Sequence, residues 1–301
     1  MAFIEHRPLG ANGPSVPVLG FGAWPIGGGL GRVETDTAIA TVRAAIDSGI
    51  TLLDTAEGYR TSEELLGRAL RDGYRERCFL ATKASRDFTP AGIRRALENS
   101  LRALRVDHVD LYQIHAWDPS VPVERSMEEM ARLKEEGKTR YIGVSNFLPE
   151  HMERARSVCP FVANQVRYSL LFRQIEDGTV DYCRRNGIGI LVHSPLAKGL
   201  LTGRYTPRSV FAPDDERSGF EDFRGETFSR HLARADRLLE IARHKGISLV
   251  QLAIAWTLRL PVVACTLVGG KNPAQVSEHV GAAGVTLTEA ELARIDAALA
   301  G

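Results

Sequence analysis

A set of polar side chains recurs at one kind of position. Asp54, Lys83, His115, Asn146, Gln165 and His193 each end an apolar run, and Tyr59 follows shortly after the first of them. Taken singly, each has an ordinary explanation. Asp54 can cap the next turn, Lys83 can be a solvated strand end, His115 a satisfied core histidine and Asn146 a helix cap before Pro149. Gathered on one rim, they supply an acid, a base, a cation and a phenol, which is a set for moving a proton. A phenol has an unperturbed pKa of about 10, and a nearby ammonium favours its ionised form. Lys83 is therefore expected to bring Tyr59 towards a useful range for donating a proton. Asp54 would keep that ammonium charged and in place, and His115 would orient a substrate carbonyl. This is a carbonyl-reducing site that lacks only a hydride.

Positioning such a rim requires a repeating scaffold. Apolar strands are expected at 16–21, 51–55, 78–83, 109–115, 141–146, 161–166, 188–193 and 262–268, with amphipathic helical patterns between them. This alternation predicts parallel pairing and a closed (β/α)8 TIM barrel in the α/β class, with an open doubly wound sheet as the alternative. Residues 3–8 and 14–18 read as an N-terminal β-hairpin that plugs the scaffold, with Asn12-Gly13 supplying positive φ angles. Thr61-Ser62-Glu63-Glu64 and Ser126-x-x-Glu129 read as helix-opening capping boxes, as does Thr288-x-x-Glu291 before a C-terminal helix. Residues 202–228 form a long connection of the functional or mobile kind. Gly20-x-Gly22 is not a dinucleotide fingerprint, because Pro25 stands where the third glycine belongs and no helix start follows. Neither internal repeat nor linker composition is visible, so residues 1–301 read as one domain.

Bulk properties narrow the classes. The 301 residues are 44% hydrophobic and 25% charged, an ordinary soluble composition, and the formal charge of +1 creates no global field for nucleic acid or an anionic membrane. Cys78, Cys159, Cys183 and Cys265 are scattered without a Cys-x-x-Cys pair and read as reduced thiols. With neither a leader-like N-terminus nor a long apolar stretch, a cytoplasmic location is expected. A metal site is not expected. No His-x-His motif occurs, and His108 and His115 point to opposite sides of one strand.

Asp54-Thr55-Ala56-Glu57-Gly58-Tyr59, Ala81-Thr82-Lys83, Gln113-Ile114-His115, Gly143-Val144-Ser145-Asn146-Phe147, Asn164-Gln165 and Ser194-Pro195-Leu196 resemble the aldo-keto reductase superfamily, in order and over nearly the whole chain. The resemblance implies a barrel that binds NAD(P)H in extended form, with Asp54, Tyr59, Lys83 and His115 matching the catalytic tetrad and Tyr59 as general acid. It also implies cofactor contacts from Gly22 and Ala23. Ser145, Asn146 and Gln165 match residues that hydrogen-bond the nicotinamide carboxamide, and residue 193 matches an aromatic that stacks on its ring. Here that residue is His193, which keeps a flat ring but reduces the stacking area. A buried histidine bonded to a backbone carbonyl is the other reading. Ser194, Pro195, Leu196, Lys198, Gly199 and Leu200 resemble the pyrophosphate loop, and Arg204 and Arg217 match basic cofactor contacts. Gly269, Gly270, Lys271, Gln275, Glu278 and His279 resemble the segment that holds the adenosine 2′-phosphate and adenine. Gln275 and His279 replace the arginine and asparagine of many relatives, which leaves a low charge count for a strong NADP preference, yet Lys271 supplies a cation, so NADP(H) is the expected cofactor with NAD(H) as the alternative. Trp24, Trp117 and parts of 205–228 are expected to rim a pocket, and the substrates are expected to be small aldehydes, ketones or sugar-like compounds, because the chain lacks the long C-terminal loop of steroid-reducing relatives.

The same residues admit two other functions. One is an NAD-dependent sugar or alcohol dehydrogenase, since the tetrad is reversible. Another is a cofactor-sensing module resembling the potassium-channel β-subunits, although those carry asparagine where this chain has His115.

Overall fold

The structure, a computed structural model, describes residues 4–300. Its first elements, β1 (His6–Pro8) and β2 (Ser15–Pro17), form an antiparallel hairpin. Residue 3 of the expected hairpin lies outside the described residues. The positive φ falls at Gly10 (74°), not at Asn12 or Gly13, because the turn is docked onto the barrel's lower end. There Ala11 N–H donates to Gly187 O at 2.7 Å, and a Cβ on Gly10 would lie 2.6 Å from Val162 O and 2.7 Å from Gly187 O. Only glycine fits that approach.

The barrel strands are β3 (Leu19–Gly22), β4 (Leu52–Asp54), β5 (Phe79–Ala84), β6 (Val109–Ile114), β7 (Thr139–Ser145), β8 (Ala163–Arg167), β9 (Gly189–His193) and β10 (Val263–Val268). All pair in parallel, and β10 returns to β3 to close the barrel. The outer ring contains α1 (Thr35–Asp47), α2 (Ser62–Ala69), α3 (Pro90–Leu104), α4 (Val123–Glu135), α5 (Pro149–Arg156), α6 (Thr179–Arg185), α7 (Gly225–Lys245), α8 (Leu249–Leu258), α9 (Pro273–Val280) and α10 (Glu289–Ala300). Strands covered on both faces read as unbroken apolar runs, which is why they were visible in the sequence.

Four local expectations are corrected. Residues 15–17 belong to the hairpin, so the first barrel strand starts at Leu19 instead of residue 16. Thr61 makes no side-chain cap, because Ser62 and Glu63 turn inward: Ser62 Oγ donates to Ala23 O at 3.1 Å and Thr82 Oγ1 donates to Glu63 at 2.6 Å. Ser126 and Glu129 lie inside α4, bonded to Phe88 O and Arg94, and do not open it. The connection expected over 202–228 ends at 224, since α7 starts at Gly225, and it holds short 3₁₀ turns at 216–219 and 221–223.

The inner core is a small cluster that includes Leu52, Ala81, Leu111, Ala163, Leu191 and Leu267, sealed below by Leu9 and Val16 of the hairpin. A strand turns its side chains alternately, so the residue two positions on shares the same face. Above Leu52 stands Asp54, above Ala81 Lys83, above Leu111 Gln113 and His115, above Ala163 Gln165, and above Leu191 His193. The apolar plug and the polar rim are thus consecutive layers of one interior.

Candidate active site

Lys83 is fully buried at the bottom of the rim. Its ammonium donates to Asp54 Oδ1 at 2.5 Å and Thr55 O at 2.8 Å, and lies 3.5 Å from the Tyr59 hydroxyl. Asp54 Oδ2 accepts from Gln165 at 2.8 Å and from Gln113 at 3.2 Å. Burial opposes the charge on Lys83, but the Asp54 carboxylate and the Tyr59 oxygen outweigh it and hold the ammonium above its ordinary pKa. Tyr59 departs from expectation. Burial raises its pKa, Lys83 lowers it and Asp54 raises it again, and the balance lies above the ordinary phenol value. Lys83 moderates the shift without reversing it, because desolvation of a phenolate in this floor costs more than one ammonium returns.

His115 continues the β6 ladder through its N–H to Ala84 O at 3.0 Å, and its ring meets Tyr59 edge-on with centroids 5.5 Å apart. Its Nδ1 pairs with Ser85 Oγ at 2.7 Å. Burial first, then Lys83 and His193, push its pKa down to about 3, so the imidazole is neutral. Asn146 sits in the left-handed region (φ 58°), from which its amide donates to His115 O and Ser145 Oγ and accepts from His193 Nε2 at 3.1 Å. His193 Nδ1 faces Ser194 Oγ at 3.0 Å. His193 is therefore bonded to side chains, not to a backbone carbonyl, and it lines the cleft. Burial, ahead of Lys83 and Arg167, holds it neutral with a pKa down to about 3.

A cleft of about 620 Å³ runs outward from Asp54, Tyr59, Gly22 and Trp24. It passes Gln165, His193 and the loop residues Ser194, Pro195, Leu196, Lys198 and Gly199, and reaches Arg204, Arg217, Gly269, Lys271, Gln275, Glu278 and His279. Ser145, Asn146 and His115 adjoin it through His193 and Tyr59. Ala23, Leu200 and Gly270 are not among its lining residues; Ala23 and Leu200 are buried, supporting the wall from behind. Trp117 is not on it either. It stacks flat on His151, centroids 4.0 Å apart, and edge-on against Phe147, packing that holds it away from the cleft.

The cations along the cleft are already engaged. Lys198 pairs with Glu216, Arg204 with Glu278 at 3.0 Å and Arg217 with Asp215, whereas Lys271 Nζ donates to a backbone carbonyl, Leu30 O. Glu216 also accepts from Trp24 Nε1 at 2.8 Å, and its N–H donates to Gly29 O at 3.2 Å. The glycine-rich loop 27–31 and the segment 214–217 are in this way tied across the mouth. Arg167, Tyr205, Glu216 and Phe220 also line the cleft, the last three within the 205–228 stretch expected at the rim but not named there residue by residue. The length of the 202–228 connection was the signal for three of them, and for Arg167 it was its place two residues beyond Gln165, on the same strand face.

The donor set fits a nicotinamide dinucleotide. A cleft with cations at its outer end, a polar floor and a buried His279 whose Nδ1 has no partner among the described residues offers contacts for an adenine, phosphates and a carboxamide. The aldo/keto reductase family model matches residues 18–300. The chain is 37% identical over 298 residues to the aldo-keto reductase YhdN of Bacillus subtilis, spanning 94% of this chain and 90% of that protein. Among solved structures, a glycerol dehydrogenase of Gluconobacter oxydans superposes with a TM-score of 0.88 at 35% identity, covering 98% of this chain and 94% of that one. An aldo/keto reductase of Klebsiella pneumoniae in complex with NADP and acetate gives 0.76 at 30% identity, over 98% and 95%.

Proposed function

The chain belongs to the aldo/keto reductase family of NAD(P)H-dependent oxidoreductases acting on carbonyls, and from that premise we propose that it is an NADPH-dependent reductase of small aldehydes and ketones with Tyr59 as the general acid. The observation that carries this reading is the buried Lys83–Asp54 pair, which places an ammonium 3.5 Å from the phenol at the floor of the cleft. When bound, the nicotinamide supplies the hydride. The protein's own groups manage the proton. Tyr59 enters protonated and donates to the carbonyl oxygen, and Lys83 stabilises the phenolate left behind while Asp54 holds Lys83. With the Ser85 hydroxyl donating to His115 Nδ1, the neutral ring carries its proton on Nε2, where it orients the same carbonyl oxygen.

Ser145, Asn146 and Gln165 would hold the carboxamide, the 194–200 loop the pyrophosphate, and Lys271 with Gln275 and His279 the adenosine end. Lys271 supports NADPH because its ammonium donates to a carbonyl, Leu30 O, and forms no ion pair among the described residues, although Arg217 and Asp215 act on it from nearby, which leaves it the cation best able to take a 2′-phosphate. Glu278 argues for a second reading, an NAD-dependent dehydrogenase, since a carboxylate at that end accepts readily from a ribose hydroxyl and repels a phosphate. Fluorescence titration of the protein with NADPH and NADH separates the two. Tighter NADPH that weakens on Lys271→Met is expected; equal or tighter NADH transfers the proposal to the dehydrogenase, and no binding of either ends it.

A further inference from the structure

Arg167 is a cleft residue that neither the proton transfer nor the cofactor contacts use. It ends β8 two residues beyond Gln165 and so projects from the same strand face, about 6–7 Å nearer the mouth. Gln165 reaches the Asp54 carboxylate at 2.8 Å, and the register partner of Arg167 across the ladder is His193. The guanidinium therefore stands one layer above the floor formed by Asp54, Lys83 and Tyr59, and it lines the same cleft.

It is held from two sides. The guanidinium carbon lies 3.3 Å from the centroid of the Phe172 ring, and Nη2 donates to Asp222 Oδ2 at 3.0 Å. The other oxygen of Asp222 faces His231 Nε2 at 3.5 Å, so that carboxylate is shared between two partners. Nε and Nη1 of Arg167 donate to no acceptor among the described residues, and the side chain remains 38% exposed. Nη2 belongs to both hydrogen-bonding edges of a guanidinium, with Nε on one side and Nη1 on the other, so a cation that is stacked and gives one Nη2 hydrogen to Asp222 keeps a pair of parallel N–H donors for the two oxygens of a carboxylate or phosphate. A lysine would offer the charge without the fork.

We infer that Arg167 sets substrate specificity, selecting carbonyl compounds that carry an anionic group, a carboxylate or phosphate ester, about three to five bonds from the carbonyl carbon. This rests on the carbonyl-reductase reading of the same cleft.

The test compares kcat/KM for 4-oxobutanoate against 4-oxobutanamide, and for glyceraldehyde 3-phosphate against glyceraldehyde, in the wild type, Arg167→Gln and Arg167→Lys. The anionic-to-neutral ratio is expected to fall about 10- to 100-fold in Arg167→Gln, mostly through KM, with partial recovery in Arg167→Lys. The pair that carries the fall tells carboxylate from phosphate. A ratio that Arg167→Gln leaves unchanged in both pairs overturns the assignment. Butanoate binding, measured by calorimetry with and without NADP⁺, gives a readout independent of turnover. Binding lost in Arg167→Gln while no aldehyde is reduced would keep the anion site and remove the reductase reading. Equal binding in wild type and variant removes the anion site. Should Arg167→Gln fail to fold, Asp222→Asn keeps an acceptor for Nη2 but removes the carboxylate charge that competes for the guanidinium, and is expected to tighten butanoate; no tightening overturns the inference.

Discussion

At Tyr59 three influences meet on one oxygen, and their signs decide what the residue can do. Burial and Asp54 raise its pKa and Lys83 lowers it, leaving a phenol that is protonated at neutral pH and next to the cation that stabilises its conjugate base. Tyr59→Phe removes the proton and little else, so turnover should fall about 10²- to 10⁴-fold with cofactor titration unchanged. Turnover that survives would reassign the acid. The histidines lead to a prediction about stability. His115 and His193 are pushed down from 6.5 to about 3 and His279 to about 4, burial being the largest cause in each. The unfolded chain therefore takes up protons at these sites while the folded one does not, so their stabilising contribution is intact above about pH 6.5 and is lost progressively as pH falls towards 4 and 3. Urea midpoints measured from pH 7 to pH 4 should decline, and His279→Asn should flatten part of that decline. A midpoint curve with the same slope in the variant would remove His279 from the account.

Elements show where a local signal was followed and where it was overruled. Thr288 caps α10: Glu291 N–H donates to Thr288 Oγ1 at 3.3 Å, and Thr288 N–H donates to Glu291 at 2.8 Å. The same kind of motif at Thr61 forms no cap, because the start of α2 is held by Ser62 and Glu63 against the barrel. Thr288→Ala should therefore cost about 1 kcal/mol in urea unfolding, and Thr61→Ala less than about 0.5 kcal/mol. Equal losses would mean that both caps or neither contributes. The loop after β9 shows another tertiary effect. Ser194, Ala197 and Lys198 have φ of 56°, 48° and 54°, and Gly199 has 103° with the site of a Cβ 2.4 Å from Tyr205 Oη. Such a run of left-handed residues is costly and persists where packing fixes it, which keeps this edge of the cleft in one shape.

Across the whole molecule, the cleft is bounded by segments distant in the chain. Loop 27–31, segment 214–217 and Lys271 meet through Glu216 N–H to Gly29 O, Trp24 to Glu216, and Arg217 and Lys271 to Leu30 O. A ligand gripped by all of these stabilises the folded state as a unit, by about 2.7 kcal/mol at 100 times its Kd. NADPH should accordingly raise the melting temperature of the whole cooperative transition, and Lys271→Met should shrink that rise at a fixed NADPH concentration. A rise unchanged in the variant would exclude Lys271 from the NADPH site. Among the described residues, no helix is long and apolar enough to cross a membrane.

The sequence by itself determined the barrel and most of the floor. Strands buried on both faces are predominantly apolar, and the polar residues near the end of each run mark the rim, so Asp54, Lys83, His115, Gln165 and His193 were legible from where those runs stop. Only the tertiary structure decided what depends on distant neighbours. It moved the hairpin's positive φ to Gly10, where the barrel floor presses on it, turned Trp117 onto His151, and set the Tyr59 pKa by burial more than by its nearest cation. It also brought Arg167 over the floor with Phe172 and Asp222 as supports. Strand periodicity gives the direction of a side chain, whereas desolvation, stacking and ion pairing depend on which remote segments share its space.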